Sequence, residues 1–391
     1  MFSNSLRVNK NQLLSAFSLA LDLAENKPME HARRTAYVAL AIAREMKLPE
    51  DMVKNVYSAA FLHDIGIIED YKFRSEDAKA HHQRVGSQIV RSLPFEPDVA
   101  RFIRLHHAKW DGIGEYGPDK EEIPLGAQVV YLADWLDYHY DARKPYHLQK
   151  DDLLEEIRSR CGTVFNPQVA EALLRVAAHP QFWLDYTFHN VGEILAQIEP
   201  EQTTTLGMTE MERVAEAFAQ IIDKKSKFTH NHSVEVARLA VALATEAGYG
   251  EKEQFKFKVA GLLHDLGKLA VPNQILDKPG KLNNEEFEII KSHSYYSQVI
   301  LGKVNGFEEI SIWAGSHHET LNGKGYPKGR NLDEGALPER ILAVCDVYIA
   351  LTEDRPYRQS MTCQEAMKII NSMTENHKLC PQAVELLKKV I

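Results

Sequence analysis

This chain repeats itself. Ala16-Phe17, Asp22, His31, and His63-Asp64 with Gly66 return as Ala217-Phe218, Asp223, His232, and His264-Asp265 with Gly267, each 201 positions later. After ten extra residues in the second copy, His82, His106-His107, Gly112 and Gly114 return as His293, His317-His318, Gly323 and Gly325 at an offset of 211, and Asp134 as Asp346 at 212. Polar surface residues placed independently do not keep order and spacing twice, whereas a duplicated structural unit does. Two copies of one fold are therefore expected, at residues 11–198 and 209–391. Between them, Glu199 to Met208 loses the apolar periodicity and holds Pro200 and Gly207, the marks of a linker at 199–208.

Within each copy the apolar residues recur at helical spacing. Leu13, Leu14, Phe17 and Leu21, then Ala36, Val38, Ala39, Ile42 and Met46, predict two helices within 11–46, broken at Pro28. Further helices are predicted near 50–63, 81–92, 96–108, 123–140, 151–160 and 167–178, and the helical pattern resumes from Thr209. Alternation of period two is hard to find. The expected class is all-α, each copy packing helix on helix around its own core.

Composition narrows the partners. Hydrophobic residues at 44% and charged residues at 26% fit a globular protein with sizeable cores. With 46 Lys+Arg against 55 Asp+Glu, the net charge of −9 argues against a broad grip on a nucleic acid polymer or a membrane surface. A small anion would need a local positive site, such as bound metal ions. The four cysteines, Cys161, Cys345, Cys363 and Cys380, have no paired spacing and read as reduced thiols. The start, Met1 to Arg7, lacks the apolar core of a signal peptide, and no apolar run is long enough to span a bilayer, so a cytoplasmic protein is expected. Seventeen histidines are many for this length, and the repeat holds a large share of them.

The second copy sets out five imidazoles and two carboxylates: His232, His264, Asp265, His293, His317, His318 and Asp346. One such residue alone is ordinarily a satisfied core or surface group. Seven in mostly helical segments, next to small or apolar residues, would be costly to bury unless something coordinated them. Two divalent ions bridged by a carboxylate would do so. Imidazole and carboxylate donors without thiolate suit iron, manganese, zinc or nickel. Such a pair activates water at neutral pH and holds a phosphoryl oxygen during attack. Lys268, three residues past Asp265, then has a use in neutralising the phosphate or protonating the leaving oxygen.

These residues resemble the HD superfamily of metal-dependent phosphohydrolases, and the second copy is more similar still to its HD-GYP subfamily, bacterial phosphodiesterases that degrade cyclic dinucleotides. The similarity runs through Phe228 to Ser233, His264 to Lys268, Pro272, Ile275-Leu276, Lys278-Pro279-Gly280 and Lys291-Ser292-His293. It continues through His317-His318-Glu319, Asn322 to Pro327, Asp346, and Arg355-Pro356-Tyr357-Arg358. The resemblance implies two tandem HD-type helical bundles, the second catalytic. It implies one metal on His232, His264, Asp265 and Asp346, with Asp265 bridging to a second on His293, His317 and His318. It further implies that Lys268 meets the scissile phosphate, that Tyr326, Arg355 and Arg358 contact substrate, and that the ions are iron or manganese. Asn322 and Glu235 stand where the family often has Asp and Arg. Phe228 stands where some members place a glutamate for a third ion, so two ions are expected.

The first copy is HD-like with a complete donor set, His31, His63, Asp64, His82, His106, His107 and Asp134, which implies a bound metal there too. It departs elsewhere. Ile67 takes the lysine position, Glu115 the tyrosine position, and Tyr146 that of the second arginine, while Arg143 matches Arg355. A regulatory or structural role is expected for it. Trp110, Trp135, Trp183 and Trp313 are read as core positions, and Lys224-Lys225-Ser226-Lys227 as a solvated helix end. The resemblance implies hydrolysis of a cyclic dinucleotide to a linear one, with cyclic di-GMP as the default substrate and 3'3'-cyclic GMP-AMP left open. An HD phosphohydrolase of mononucleotides and a non-catalytic cyclic-dinucleotide effector stay open, as does a homodimer.

Overall fold

The computed structural model describes residues 8–24, 30–66, 76–112, 123–201, 205–225, 231–331, 336–354 and 359–391. Among them are nineteen α-helices and one two-stranded ribbon, Val8–Asn9 (β1) with Thr205–Leu206 (β2). The protein is all-α. No described helix is long and apolar enough to cross a membrane.

The chain divides into two compact units, one from Leu13 to Thr205 and one from Leu206 to Ile391 that also takes in the start of the chain as far as Gln12. The first contains α1 (Lys10–Ala24, from Leu13), α2 (His31–Glu45), α3 (Glu50–Leu62), α4 (Glu76–Arg91), α5 (Pro97–Leu105), α6 (Leu125–His139), α7 (Lys150–Ser159) and α8 (Pro167–Ala177). Each matches a helix expected from periodicity. Pro28 lies outside the described residues. Two helices escaped that reading, α9 (Pro180–Tyr186) and α10 (Val191–Ile198), because at seven and eight residues they are shorter than the window over which a helical period can be recognised. In this unit α2 packs on α3 and α6, and α4 on α5. Trp135 and Trp183 are buried in it, as expected of core positions, whereas Trp110 is only half-buried in the turn after α5.

The second unit repeats the plan with α11 (Met208–Lys225), α12 (His232–Glu246), α13 (Glu251–Leu263), a 3-10 turn at Leu266–Ala270, α14 (Asn273–Leu276), α15 (Asn284–Leu301), α16 (Glu308–Gly315), α17 (Leu337–Thr352), α18 (Cys363–Glu375) and α19 (Pro381–Val390). Here α12 packs on α13 and α17, while α15 packs on the 3-10 turn and α16. Phe257 and Trp313 meet in the core with ring centroids 4.8 Å apart.

Two repeated residues explain how the units orient their histidines. The helices α2 and α12 begin on His31 and His232, and neither has a capping side chain at its own N-cap. Asp22 and Asp223 supply one from the preceding helix. Asp22 accepts from the amides of Glu30 at 2.8 Å and Ala32 at 3.1 Å, and Asp223 accepts from the Ser233 amide at 3.2 Å and its hydroxyl at 2.7 Å. The orphan amides of a helix start are thereby satisfied by a distant carboxylate, which fixes where the first histidine of each set stands. The second pair is Gly66 and Gly267. A Cβ at Gly267 would sit 1.9 Å from the His293 carbonyl oxygen, and one at Gly66 would sit 2.1 Å from that of His82. Only glycine lets the turn after the His-Asp pair touch the backbone of the helix that carries the next histidine.

Candidate metal centre

In the second unit, His264 and Asp265 leave the end of α13, His293 projects from α15, His317 and His318 follow α16, and Asp346 lies on α17. Together with His232 these seven side chains converge. The His232 Nε2 is 3.1 Å from Asp346 Oδ1, and His264 Nε2 is 3.2 Å from Asp265 Oδ2 and 3.7 Å from Asp346 Oδ1. On the other side, Asp265 Oδ1 is 3.3 Å from His293 Nε2 and 3.8 Å from His317 Nε2, and those two nitrogens are 3.2 Å apart. The two oxygens of Asp265 thus face two different groups of imidazoles. Donors sharing an ion at about 2.1 Å lie roughly 3.0 to 3.4 Å from one another, so these spacings fit coordination.

The tautomers point the same way. His264, His293 and His317 each donate from Nδ1 to the carbonyl three residues earlier, Gly261 at 2.8 Å, Ile290 at 2.6 Å and Ala314 at 2.6 Å. Gly261 and Ala314 lie in the last turns of their helices, where carbonyls lack helical partners and are free to hold an imidazole, whereas Ile290 lies inside α15. With Nδ1 protonated, the neutral rings of His293 and His317 turn a lone pair inward at Nε2. The Nε2 atoms of His293 and His317 then face each other as two acceptors, an arrangement a cation between them resolves. The His264 Nε2 and Asp265 Oδ1 are both buried without a hydrogen-bond partner. Orphaned donors of this kind fit a metal.

Electrostatics divides the cluster. Burial lowers the His264 pKa, but Asp265 and Asp346 outweigh it and raise it to about 10. Burial, aided by His318 and Lys268 against Asp265, pushes His293 down to about 3, and burial with His318 also drives His317 down. Burial opposes charge on Asp265, yet His264 and Lys268 hold it well below the usual carboxylate range. The Lys268 ammonium contacts Asp265 Oδ2 directly.

The first unit repeats this geometry. His63 Nε2 is 3.0 Å from Asp64 Oδ2 and 3.3 Å from His31 Nε2, and His82 Nε2 is 3.3 Å from His106 Nε2. Asp134 Oδ1 lies 3.4 Å from His31, and Asp134 Oδ2 lies 3.9 Å from His107 Nδ1. His63 and His106 donate from Nδ1 to the carbonyls of Ala60 and Ile103. All seven expected donors are therefore together in each unit.

The HD domain family matches residues 216–382 and again residues 29–139. Over 394 residues the chain is 30% identical to the 3'3'-cGAMP-specific phosphodiesterase 1 of Vibrio cholerae, covering 97% of this chain and 91% of that protein. The chain belongs to the HD-GYP branch of the HD family. A cyclic di-GMP phosphodiesterase of Thermotoga maritima is 33% identical over 199 residues, 49% of this HD protein and 53% of that one. The crystal structure of a cyclic GMP-AMP specific phosphodiesterase of Vibrio cholerae, V-cGAP3, superposes with a TM-score of 0.71 at 25% identity, covering 99% of this chain and 98% of that one.

Other expected residues vary in where they fall. The Tyr326 ring lies 4.7 Å from that of His318 and 6.3 Å from that of His293, beside the centre. Its loop is held there by close backbone contact, since a Cβ on Gly325 would meet the His318 carbonyl at 2.4 Å, and by the Lys328 amide, which donates to Glu319 Oε1 at 2.7 Å. Arg355, Arg358, Phe228, Ile67 and Glu115 lie outside the described residues. Arg143 is exposed and paired with Asp141 at 2.9 Å, and Tyr146 stacks 6.0 Å from Trp183. The reading of Lys225 as part of a solvated helix end is corrected. Its side chain is buried, and its ammonium donates to the Leu269 carbonyl just past Lys268.

Sequence reasoning missed the groups behind the histidines. Glu353 Oε2 lies 3.0 Å from His232 Nδ1, while in the first unit the same service comes from Asp137 Oδ2, 2.6 Å from His31 Nδ1. Asp137 is also held by Arg34 and Tyr186. The repeat could not reveal these carboxylates, because Asp137 corresponds to Ile349 and Glu353 to Asp141.

Proposed function

We propose that this protein is a metal-dependent phosphodiesterase whose second HD unit hydrolyses a 3'3'-cyclic dinucleotide to the linear dinucleotide. The observation that carries the reading is Asp265, whose two oxygens face separate imidazole groups while Lys268 stands against it. When bound, two divalent ions, iron or manganese, would lower the pKa of water and neutralise phosphoryl charge. His232, His264, Asp265 and Asp346 would hold one, and His293, His317, His318 and Asp265 the other. Lys268 contributes a cation for the scissile phosphate and a proton within reach of the departing oxygen; water supplies OH to phosphorus and the ribose oxygen leaves protonated. Tyr326 borders the substrate, with Arg355 and Arg358 as further contacts.

Cyclic GMP-AMP is the preferred substrate in this reading. Two relatives that match 97% of the chain are named for it, whereas relatives named for cyclic di-GMP match 33% to 49% of the chain. The first unit, residues 11–198, keeps the complete donor set but has Ile67 where the second has Lys268, so we assign it a regulatory or structural role. The cytoplasm is taken as the place of action. The test is turnover of both dinucleotides by iron- or manganese-loaded enzyme, comparing wild type with Asp265→Ala and Asp64→Ala. Asp265→Ala should lose activity by more than about 1000-fold and Asp64→Ala should keep most of it. Equal loss in both would overturn the assignment to the second unit, and undiminished turnover in Asp265→Ala would overturn the site.

A further inference from the structure

We infer that Phe287 is the stacking platform for one nucleobase of the dinucleotide, a subsite that rests on the proposed phosphodiesterase reading. Phe287 is on α15, the helix that also carries His293, and it remains 45% exposed. Scattered exposed apolar residues need no explanation. This one is placed where a ligand must pass. Its ring centroid is 6.1 Å from that of Tyr326, whose ring in turn lies 4.7 Å from that of His318. One aromatic ring thus separates Phe287 from the donor cluster, so a base attached to a nucleotide whose phosphate sits at Asp265 and Lys268 comes within its reach. The Lys291 ammonium, paired with Glu288 at 2.6 Å, lies 5.5 Å from the Phe287 centroid on the same patch.

The backbone beneath the platform is fixed. Asn283 and Glu286 form a reciprocal capping box at the start of α15, and Lys278 clamps both Glu286 oxygens at 2.6 and 2.7 Å. A backbone held this firmly has little main-chain freedom left to lose on binding, which favours base stacking on the ring it carries. A structural alternative exists at this position, because Leu282 and Phe287 occupy the N′ and N4 places of a hydrophobic staple. A staple needs an apolar side chain and is served by leucine. Stacking needs a π face.

The two roles separate in steady-state kinetics on the metal-loaded full chain, using 3'3'-cyclic GMP-AMP and methyl p-nitrophenyl phosphate, a phosphodiester with no nucleobase. Phe287→Leu should raise KM for the dinucleotide by about 5- to 100-fold with kcat and metal content near wild type. Its kcat/KM for the base-free ester should stay within about twofold, and Phe287→Tyr should keep the wild-type KM. An unchanged dinucleotide KM in Phe287→Leu, equal losses on both substrates, or failure of Phe287→Tyr to retain KM would each overturn the platform. Wild-type enzyme inert toward every cyclic dinucleotide would overturn the functional reading first, and the platform with it.

Discussion

Replacing Gly267 with alanine tests the link between backbone packing and the metal centre. The added Cβ would lie 1.9 Å from the His293 carbonyl oxygen and 2.8 Å from the Ser297 amide nitrogen, whereas real Cβ contacts stay beyond 3.0 Å. Neither neighbour is a flexible side-chain end. The turn carrying Asp265 and Lys268 must therefore withdraw from α15 by about 1 Å, at a cost of roughly 1 to 3 kcal/mol of stability. The same shift takes Asp265 Oδ1 away from His293 Nε2, now 3.3 Å apart. Coordination distances tolerate only about 0.2 Å, and a 1 Å misplacement costs about 100-fold in rate. Gly267→Ala should thus lose metal from the His293 side and about 100-fold or more in kcat while still melting cooperatively, as read by metal stoichiometry, turnover and thermal denaturation. The matched control is Gly66→Ala, where the Cβ meets the His82 carbonyl at 2.1 Å and the Gly86 amide at 2.5 Å. That variant should lose metal from the first unit and keep turnover within about threefold. Full metal content with wild-type kcat in Gly267→Ala would refute the reasoning.

Two more expectations follow from the same geometry. Removing the carboxylate behind His232 with Glu353→Ala should weaken metal binding in the second unit by about 10- to 100-fold, measured by competition with a chelator; an unchanged affinity would show that Glu353 does not orient the ring. Burial raises the Asp223 pKa to about 6 against the hydrogen bonds from Ser233, above its ordinary 3.8. The folded state therefore binds the extra proton between these values, so this group's contribution to stability is fully present below about pH 4 and is lost as pH rises through 6. Denaturant unfolding of the metal-free protein should show Asp223→Asn gaining about 2 kcal/mol on wild type between pH 4.5 and 6.5, and parallel pH profiles would contradict it.

The sequence by itself determined the duplication, the helical class and the donor set. The metal ligation proposed would accept few residue types, so His and Asp would have to stand at corresponding places in both copies, and a donor needed twice shows itself as a repeat. Gly66 and Gly267 were visible for a similar reason, since a backbone-to-backbone contact tolerates no side chain. The supporting residues obey a looser rule. A carboxylate behind an imidazole needs only to reach Nδ1, and Asp137 and Glu353 do so from non-corresponding positions. Only the folded chain decided which of them serve. The same holds for Lys225, which the polar run around it marked as solvated and which packing buries against the Leu269 carbonyl. It holds again for Phe287, an ordinary apolar residue near a helix start until α15 brings its ring beside Tyr326. Side-chain chemistry is written in the sequence, but which groups share a space depends on how helices distant in the chain come together.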